Sequence, residues 1–212
     1  MKKQQKISSA VVRRLPKYFR HLSSIEKTGM EKISSQQLSE QTGFTASQIR
    51  QDLNHFGGFG QQGYGYRVSD LKKSITEIIG LDKEYNVVIV GFGRIGQAIY
   101  NYRGFDFKKF EVISVFDVPA KVGDINGVQV KSIHELKEFV KNNKVDIIIL
   151  TVPVDEAQRV CDSLEEGDVK GIWNFAPVDV TTKANIPVES VHLSESLYSL
   201  IYYMWNVEQY NK

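Results

Sequence analysis

Apolar side chains in the first part of the chain recur at three- and four-residue intervals, whereas later they gather into short unbroken runs separated by polar stretches. The first pattern is that of amphipathic helices, the second that of strands buried on both faces of a parallel sheet. Val11, Val12, Leu15, Phe19, Leu22 and Ile25 predict a helix over Ser8 to Thr28, with Pro16 inside it. Ser34 or Ser35 is placed to cap a second helix through Gln41, Gly43 permits a tight turn, and Thr45 caps a third helix from Ala46 to about Phe56. Three helices so spaced make a helix-turn-helix. GGFGQQGYGYRV follows, Gly57 to Val68, with Tyr64, Tyr66 and Val68 alternating on one strand face. That is a hairpin pattern and, after a helix-turn-helix, predicts a winged helix; a glycine-rich loop of another purpose is the alternative. Ser69 then caps a helix from Asp70 to Ile79, which Gly80 ends.

From Glu84 onward the pattern changes. VVIVGFGRIGQAIY joins an apolar strand, a glycine turn and a helix starting near Arg94, and a second apolar strand, EVISVF, runs into Asp117. Further strands are predicted at Val128 to Val130, Val145 to Leu150, Gly171 to Phe175 and Val188 to Val191, with helices at Ser132 to Asn142 and Asp155 to Glu166. Such alternation is a doubly wound α/β, or Rossmann, fold with a parallel sheet. In the last segment Ser194 caps a helix that places Leu197, Leu200, Ile201, Met204 and Trp205 on one side, with Tyr198 and Tyr202 widening the stripe. One small sheet face cannot cover so broad a stripe, so burial against another domain or subunit is expected, packing within its own chain being the competing explanation. The fold class is therefore α/β, with a winged helix-turn-helix domain at 1–80, a Rossmann domain at 84–193 and a terminal helical segment at 194–212.

Charge sharpens this division. The net +2 conceals 14 Lys and Arg against 7 Asp and Glu in residues 1–83, and 13 against 18 in the remainder. A basic module beside an acidic one is expected if only the first meets a polyanion, because phosphate neutralisation supplies most non-specific nucleic-acid affinity; a chance asymmetry of solvated faces is the alternative. Cys161 is the sole cysteine, which excludes an internal disulfide and a zinc site built on several thiolates. No apolar run approaches the roughly 20 residues of a membrane span and the N-terminus has no signal-peptide pattern, so the cytoplasm is the expected compartment.

The candidate chemistry falls in two places. Ile49, Leu53 and Phe56 share one face of the third helix, leaving Ser47, Arg50, Gln51 and Asn54 outward. Arg can fork onto guanine or phosphate, Gln and Asn can bind adenine edges, and Ser can take either, although an ordinary solvated face has the same composition. At the wing, Gln61, Gln62 and Tyr64 are the candidates, and the amides would supply hydrogen bonds without positive charge. In the second place, GFGRIG supplies Gly91, Phe92, Gly93, Arg94, Ile95 and Gly96. Gly91 makes the turn, Gly93 admits a pyrophosphate, Gly96 lets the helix pack closely, and Asp117 at the next strand's end would accept the adenosine ribose hydroxyls and repel a 2′-phosphate, favouring NAD or NADH over its phosphorylated form. Thr151, Val152 and Pro153, and separately Asn174, Phe175 and Ala176 before Pro177, stand at strand carboxyl ends, where either loop lines the nicotinamide pocket or its proline merely ends a strand.

Three stretches taken together, QIRQDLNHFGGFGQQGYGYRV from Gln48, VVIVGFGRIG from Val87, and ILTVPVDEAQ with GIWNFAPV, resemble the Rex family of redox-sensing transcriptional repressors across nearly the whole chain. The resemblance implies a homodimer with an N-terminal winged helix, a central NAD(H)-binding domain and a C-terminal helix exchanged with the partner. It also implies binding to double-stranded DNA at an inverted-repeat operator, weakened by NADH and permitted by NAD⁺. It implies adenosine contacts from Val118 and Lys121, in a loop one residue shorter than usual, and a switch made of Arg20, Tyr102 beside the cofactor, and a third position. There the family usually has aspartate and this chain has His192. A neutral His192 would hydrogen-bond Tyr102 and a protonated one would repel Arg20, so a retuned or pH-sensitive switch is expected, a solvated histidine being the alternative. Gln51, Gln61 and Gln62 replace frequent basic residues, which implies weaker phosphate attraction. The rival readings are a small NAD-dependent oxidoreductase, which lacks a convincing acid or base, a CoA-binding module, against which Asp117 argues, and a thiol sensor at Cys161. No catalytic residue and no metal site is expected, so the chain is read as a non-enzyme.

Overall fold

The computed structural model describes residues 7–56, 65–102, 104, 109–183 and 185–206, and in it the chain divides into two units, Met1–Lys83 and Glu84–Lys212. In the first unit the first three helices each start at a polar side chain that satisfies an unpaired backbone donor. Ser8 accepts the Val11 N–H at the start of α1 (Ser9–Glu26). Ser34 with Gln37, and Thr45 with Gln48, form reciprocal capping boxes before α2 (Ser35–Thr42) and α3 (Ala46–Asn54). Gly43 closes α2 with a φ of 74°, a value favouring glycine, and so sets the turn into α3. Leu15, Tyr18, Leu22, Leu38, Ile49 and Leu53 meet in one buried core.

The strand predicted through Val68 ends one residue earlier. Tyr66–Arg67 (β2) pairs antiparallel with Lys32–Ile33 (β1), and Val68 opens α4 (Val68–Ile78). Its N–H donates to the Glu31 carbonyl and its side chain is buried with Leu71 and Ile75, so helical packing and not strand alternation accounts for this apolar position. Ser69 is consequently inside the helix and not its cap; Arg67 holds that position with no side-chain hydrogen bond. Most of the predicted hairpin, 57–64, lies outside the described residues.

The second unit is a seven-stranded sheet of order β5-β6-β4-β3-β7-β8-β9. Its strands are β3 (Tyr85–Val90), β4 (Phe110–Asp117), β5 (Gly123–Ile125), β6 (Val128–Ser132), β7 (Ile147–Leu150), β8 (Gly171–Asn174) and β9 (Val188–Ser190). All neighbours are parallel except β5 and β6. That hairpin, absent from the sequence expectation, turns through Asn126 (φ 55°) and Gly127 (φ 82°), an Asn-Gly pair of the kind that selects a two-residue turn. Alternate residues of β3 face opposite sides: Val88 and Val90 pack with α6 (Leu136–Asn142) and α7 (Val154–Asp162), and Val87 and Ile89 lie with Phe92 and Ile99, the latter on α5 (Arg94–Tyr100). The helix predicted from Ser132 begins instead as a tight 3₁₀ turn, Ile133–Glu135, before α6.

The last helix, α8 (Leu193–Trp205), follows His192, so Ser194 lies in its first turn and does not cap it. None of its residues is buried, and Trp205 is 84 % exposed. The described residues of its own unit therefore leave the stripe uncovered.

Candidate functional site

Between β3 and β7 the direction of strand succession reverses, and a crevice opens at the carboxyl ends of these strands, where doubly wound sheets bind ligands. Its centre is the glycine turn. Gly91 has φ 97°, and a Cβ there would lie 2.7 Å from the Thr151 carbonyl oxygen. A Cβ on Gly96 would overlap the Gly91 carbonyl oxygen. Both glycines are demanded by neighbouring backbone. Gly93 is different: among the described residues, a Cβ there meets no atom beyond its chain neighbours within 4 Å, and the residue borders the cavity. Thr151 braces the turn by donating its hydroxyl to the Gly91 carbonyl at 2.6 Å.

Asp117, at the end of β4, is 6 % exposed. Its carboxylate accepts the Phe92 N–H at 2.7 Å, the Val118 N–H at 2.7 Å and the Lys121 ammonium at 3.1 Å. Three bonds leave about one of a carboxylate's four acceptor positions, so Asp117 both ties down the glycine turn and keeps capacity for a ligand hydroxyl.

The cavity measures about 440 Å³, within the usual range for small-molecule pockets. Asp117, Val118, Lys121 and Ile133 line its β4 side; Gly91, Gly93, Arg94 and Ile95 its centre; Thr151, Val152, Pro153 and Glu156 its β7 side. Ile133 and Glu156 were not expected from the sequence; Glu156 stands in the first turn of the helix after the TVP loop, and that adjacency was the available signal. Of the two candidate loops, the TVP loop alone lines the cavity among the described residues. Asn174 is fully buried, donating to the Val178 carbonyl at 2.7 Å and the Ser190 hydroxyl at 3.2 Å while accepting the Ala176 N–H at 3.0 Å. Phe175, partly buried, packs edge-on against Trp173, and Ala176 is buried. Phe92 and Gly96 are buried beneath the turn and contribute shape.

The donor set suits a dinucleotide: backbone bordering the cavity at Gly93 for a pyrophosphate, a carboxylate at the second strand's end for a ribose diol, and apolar walls. Among the described residues no cluster of His, Cys, Asp or Glu could hold a metal ion. Cys161 is buried in α7, and burial pushes its thiol up to about 11, which leaves it unreactive at neutral pH.

In the first unit Ser47, Arg50, Gln51 and Asn54 line one shallow concave surface together with His55, which the sequence reading had not placed there. Arg50 donates to the Ser35 hydroxyl at 2.9 Å, and His55 Nδ1 lies 2.7 Å from the Gln51 carbonyl oxygen. Beneath this face Asp52 is buried, accepting a two-toothed contact from Arg14 at 2.6 and 2.7 Å and the Tyr18 hydroxyl at 2.7 Å. Burial, then the Asp52 hydrogen bond, pushes the Tyr18 phenol well up, while Asp52 holds the Arg14 guanidinium charged. A charge pair of that kind anchors α3 to α1 with fixed geometry. Gln61, Gln62 and Tyr64 lie outside the described residues.

The three switch candidates belong to both units. Arg20 is an exposed residue of α1 in the first unit. In the second unit Tyr102 is 56 % exposed beyond α5, and the Nε2 of His192 lies 3.0 Å from the Asp179 carboxylate. The imidazole thus has Asp179 as a carboxylate partner within its own unit.

With this geometry in hand, family models match both units: a putative DNA-binding protein N-terminus over residues 6–54 and a CoA binding domain over residues 82–178. The chain is 52 % identical to the redox-sensing transcriptional repressor Rex of Clostridium perfringens over 204 residues, 95 % of this chain and 96 % of that one. The chain belongs to the Rex family. Rex relatives are named as transcriptional repressors and not as enzymes. Two solved Rex-family structures align over 98 % of this chain: RSP in complex with β-NAD⁺ and operator DNA (TM-score 0.87, 45 % identity, 96 % of that chain), and RSP in complex with β-NADH (TM-score 0.86, 43 % identity, 98 % of that chain). The Rex fold is thereby that of this chain, a DNA-binding unit of winged helix-turn-helix type followed by a Rossmann unit. Among the described residues no helix is long and apolar enough to cross a membrane.

Proposed function

We propose that this Rex-family protein is a cytoplasmic homodimer that holds an inverted-repeat operator and releases it when NADH occupies the crevice. The observation that carries the reading is the pairing, in one chain, of a ligand-facing glycine and a strand-end acid with a helix whose outward side chains are suited to a major groove. Residues 1–80 act as the reader, 84–193 as the sensor, and 194–212 as a helix exchanged between protomers, whose uncovered apolar face calls for a second copy. Ser47, Arg50, Gln51 and Asn54 contact DNA, with Gln61, Gln62 and Tyr64 at the wing. Gly93, Arg94 and Ile95 face the pyrophosphate; Asp117, Val118 and Lys121 face the adenosine; Thr151 to Pro153 face the nicotinamide. The CoA-domain likeness fits the Rossmann scaffold, and a 3′-phosphate beside Asp117 would meet like charge.

Paired recognition helices must stand one helical turn of DNA apart, about 34 to 36 Å, to enter successive major grooves. A small rotation between protomers is enough to break that spacing. Arg20, Tyr102 and His192 are the candidate contacts for the rotation. The coenzyme shifts the balance only by its differential affinity for the two shapes, and a 100-fold difference corresponds to about 2.7 kcal/mol. Electrophoretic mobility shift on an inverted-repeat operator, with NAD⁺ and NADH titrated separately, tests this. Release by NADH and not by NAD⁺ is expected, and operator binding indifferent to both overturns it.

A further inference from the structure

The crevice carries charge unevenly. On its β4 side Asp117 and Lys121 neutralise each other at 3.1 Å. On its β7 side Thr151, Val152 and Pro153 are uncharged, and Glu156 is the one ionisable residue among those described there. Glu156 lies in the first turn of α7, its side chain 44 % exposed, and accepts from Arg159 at 2.7 Å. Arg159 points to solvent at 74 % exposure and is not among the lining residues, so it screens the carboxylate only in part.

The oxidised and reduced forms of a nicotinamide dinucleotide carry the same adenosine and phosphates. They differ by one positive charge on the nicotinamide ring. A dinucleotide laid across the switch point with its ribose on Asp117 sends that ring to the β7 side. We propose that Glu156 is a specificity-determining residue: its carboxylate favours the cationic ring over the neutral one and so raises the NADH:NAD⁺ ratio at which the protein switches. This rests on the reading that the crevice takes NAD(H). Glu156 and Asp155 also complement the positive end of α7, but that role acts on stability and treats both redox forms alike.

Calorimetric titration of the full-length protein with NAD⁺ and with NADH separates these roles. In Glu156→Gln the NAD⁺ dissociation constant is expected to rise about threefold, in the range of partly exposed charge pairs, while that for NADH holds. Arg159→Gln, which unmasks the carboxylate, is expected to tighten NAD⁺ up to about twofold. Both effects shrink at about 0.5 M salt. Operator release by Glu156→Gln then begins at a correspondingly lower NADH:NAD⁺ ratio. Equal changes for the two coenzymes place the carboxylate at the phosphates and overturn the proposal, as does no change in either. Wild-type protein that binds neither coenzyme overturns the functional reading instead.

Discussion

In the crevice, backbone sets the shape: Gly91 and Gly96 are pressed against carbonyl groups, and Thr151 and Asp117 hold the turn through main-chain atoms. On α3 the surface offered to a ligand is side chain, and its four expected contact residues rest on a helix fixed from below by Ile49, Leu53 and Asp52. The difference predicts how each region fails. Substitutions in the turn reach the fold before they reach the ligand, with Gly93 the exception, whereas substitutions on the outer face of α3 reach the ligand alone.

Gly96→Ala is the severest way to test this, because the overlap is with backbone and cannot be relieved by a side-chain rotation. A loss of about 4 kcal/mol or more is expected, seen in thermal unfolding as a fall in the transition of the second unit. A melting profile like that of the wild type would show the turn to be softer than its geometry implies. Asp52→Asn carries the test to the reader's underside. It leaves the partly exposed Arg14 guanidinium facing a neutral amide, and losing such a charge-assisted contact costs about 2 kcal/mol. Operator binding should fall with it, while NADH titration of protein kept below its first transition should be unchanged.

How much of this was legible in the sequence depended on how local the cause is. Ser34, Thr45 and Gly43 act within a turn of their own position, so the helix ends could be read. The strand, glycine turn, helix and Asp117 form one short unit and could be read as well. Asp52 could not, since its partner Arg14 is 38 residues away and nothing in the helix pattern marks an acid as buried. Asn174 is a similar case: its amide closes a loop through Val178 and Ser190, which only the folded sheet brings together. Val68 misled because an apolar residue two positions after Tyr66 fits a strand as well as the first turn of a helix. Asn126-Gly127 was a plain local signal, hidden by the shortness of the strands beside it.

Gly93→Ala sharpens the crevice side of the comparison. With no atom of a described residue beyond its chain neighbours within 4 Å of the new Cβ, the melting temperature should hold, and the methyl group would instead occupy space proposed for the pyrophosphate. A tenfold or greater loss of NADH affinity is expected, about 1.4 kcal/mol. Undiminished affinity would place the dinucleotide elsewhere. Together with Gly96→Ala it separates a glycine the fold requires from one the ligand requires.

The smallest effect is expected at Arg50, and it tells most about the reader. The side chain is exposed and its hydrogen bond to Ser35 is a surface contact, so Arg50→Ala should change stability by no more than about 0.5 kcal/mol. Operator affinity should fall by about 1 kcal/mol, the low end for a base contact because the Ser35 bond is given up on binding, with NADH binding unaltered, if the guanidinium reads a guanine edge. The salt dependence distinguishes that role from a phosphate contact. Loss of one phosphate contact lowers the slope of log affinity against log salt by about 1 and weakens all sequences alike; loss of a base contact leaves the slope and relaxes preference at one position in each half-site. Unchanged affinity on every sequence would mean that the concave face of α3 is solvated surface and that the reading residues lie elsewhere.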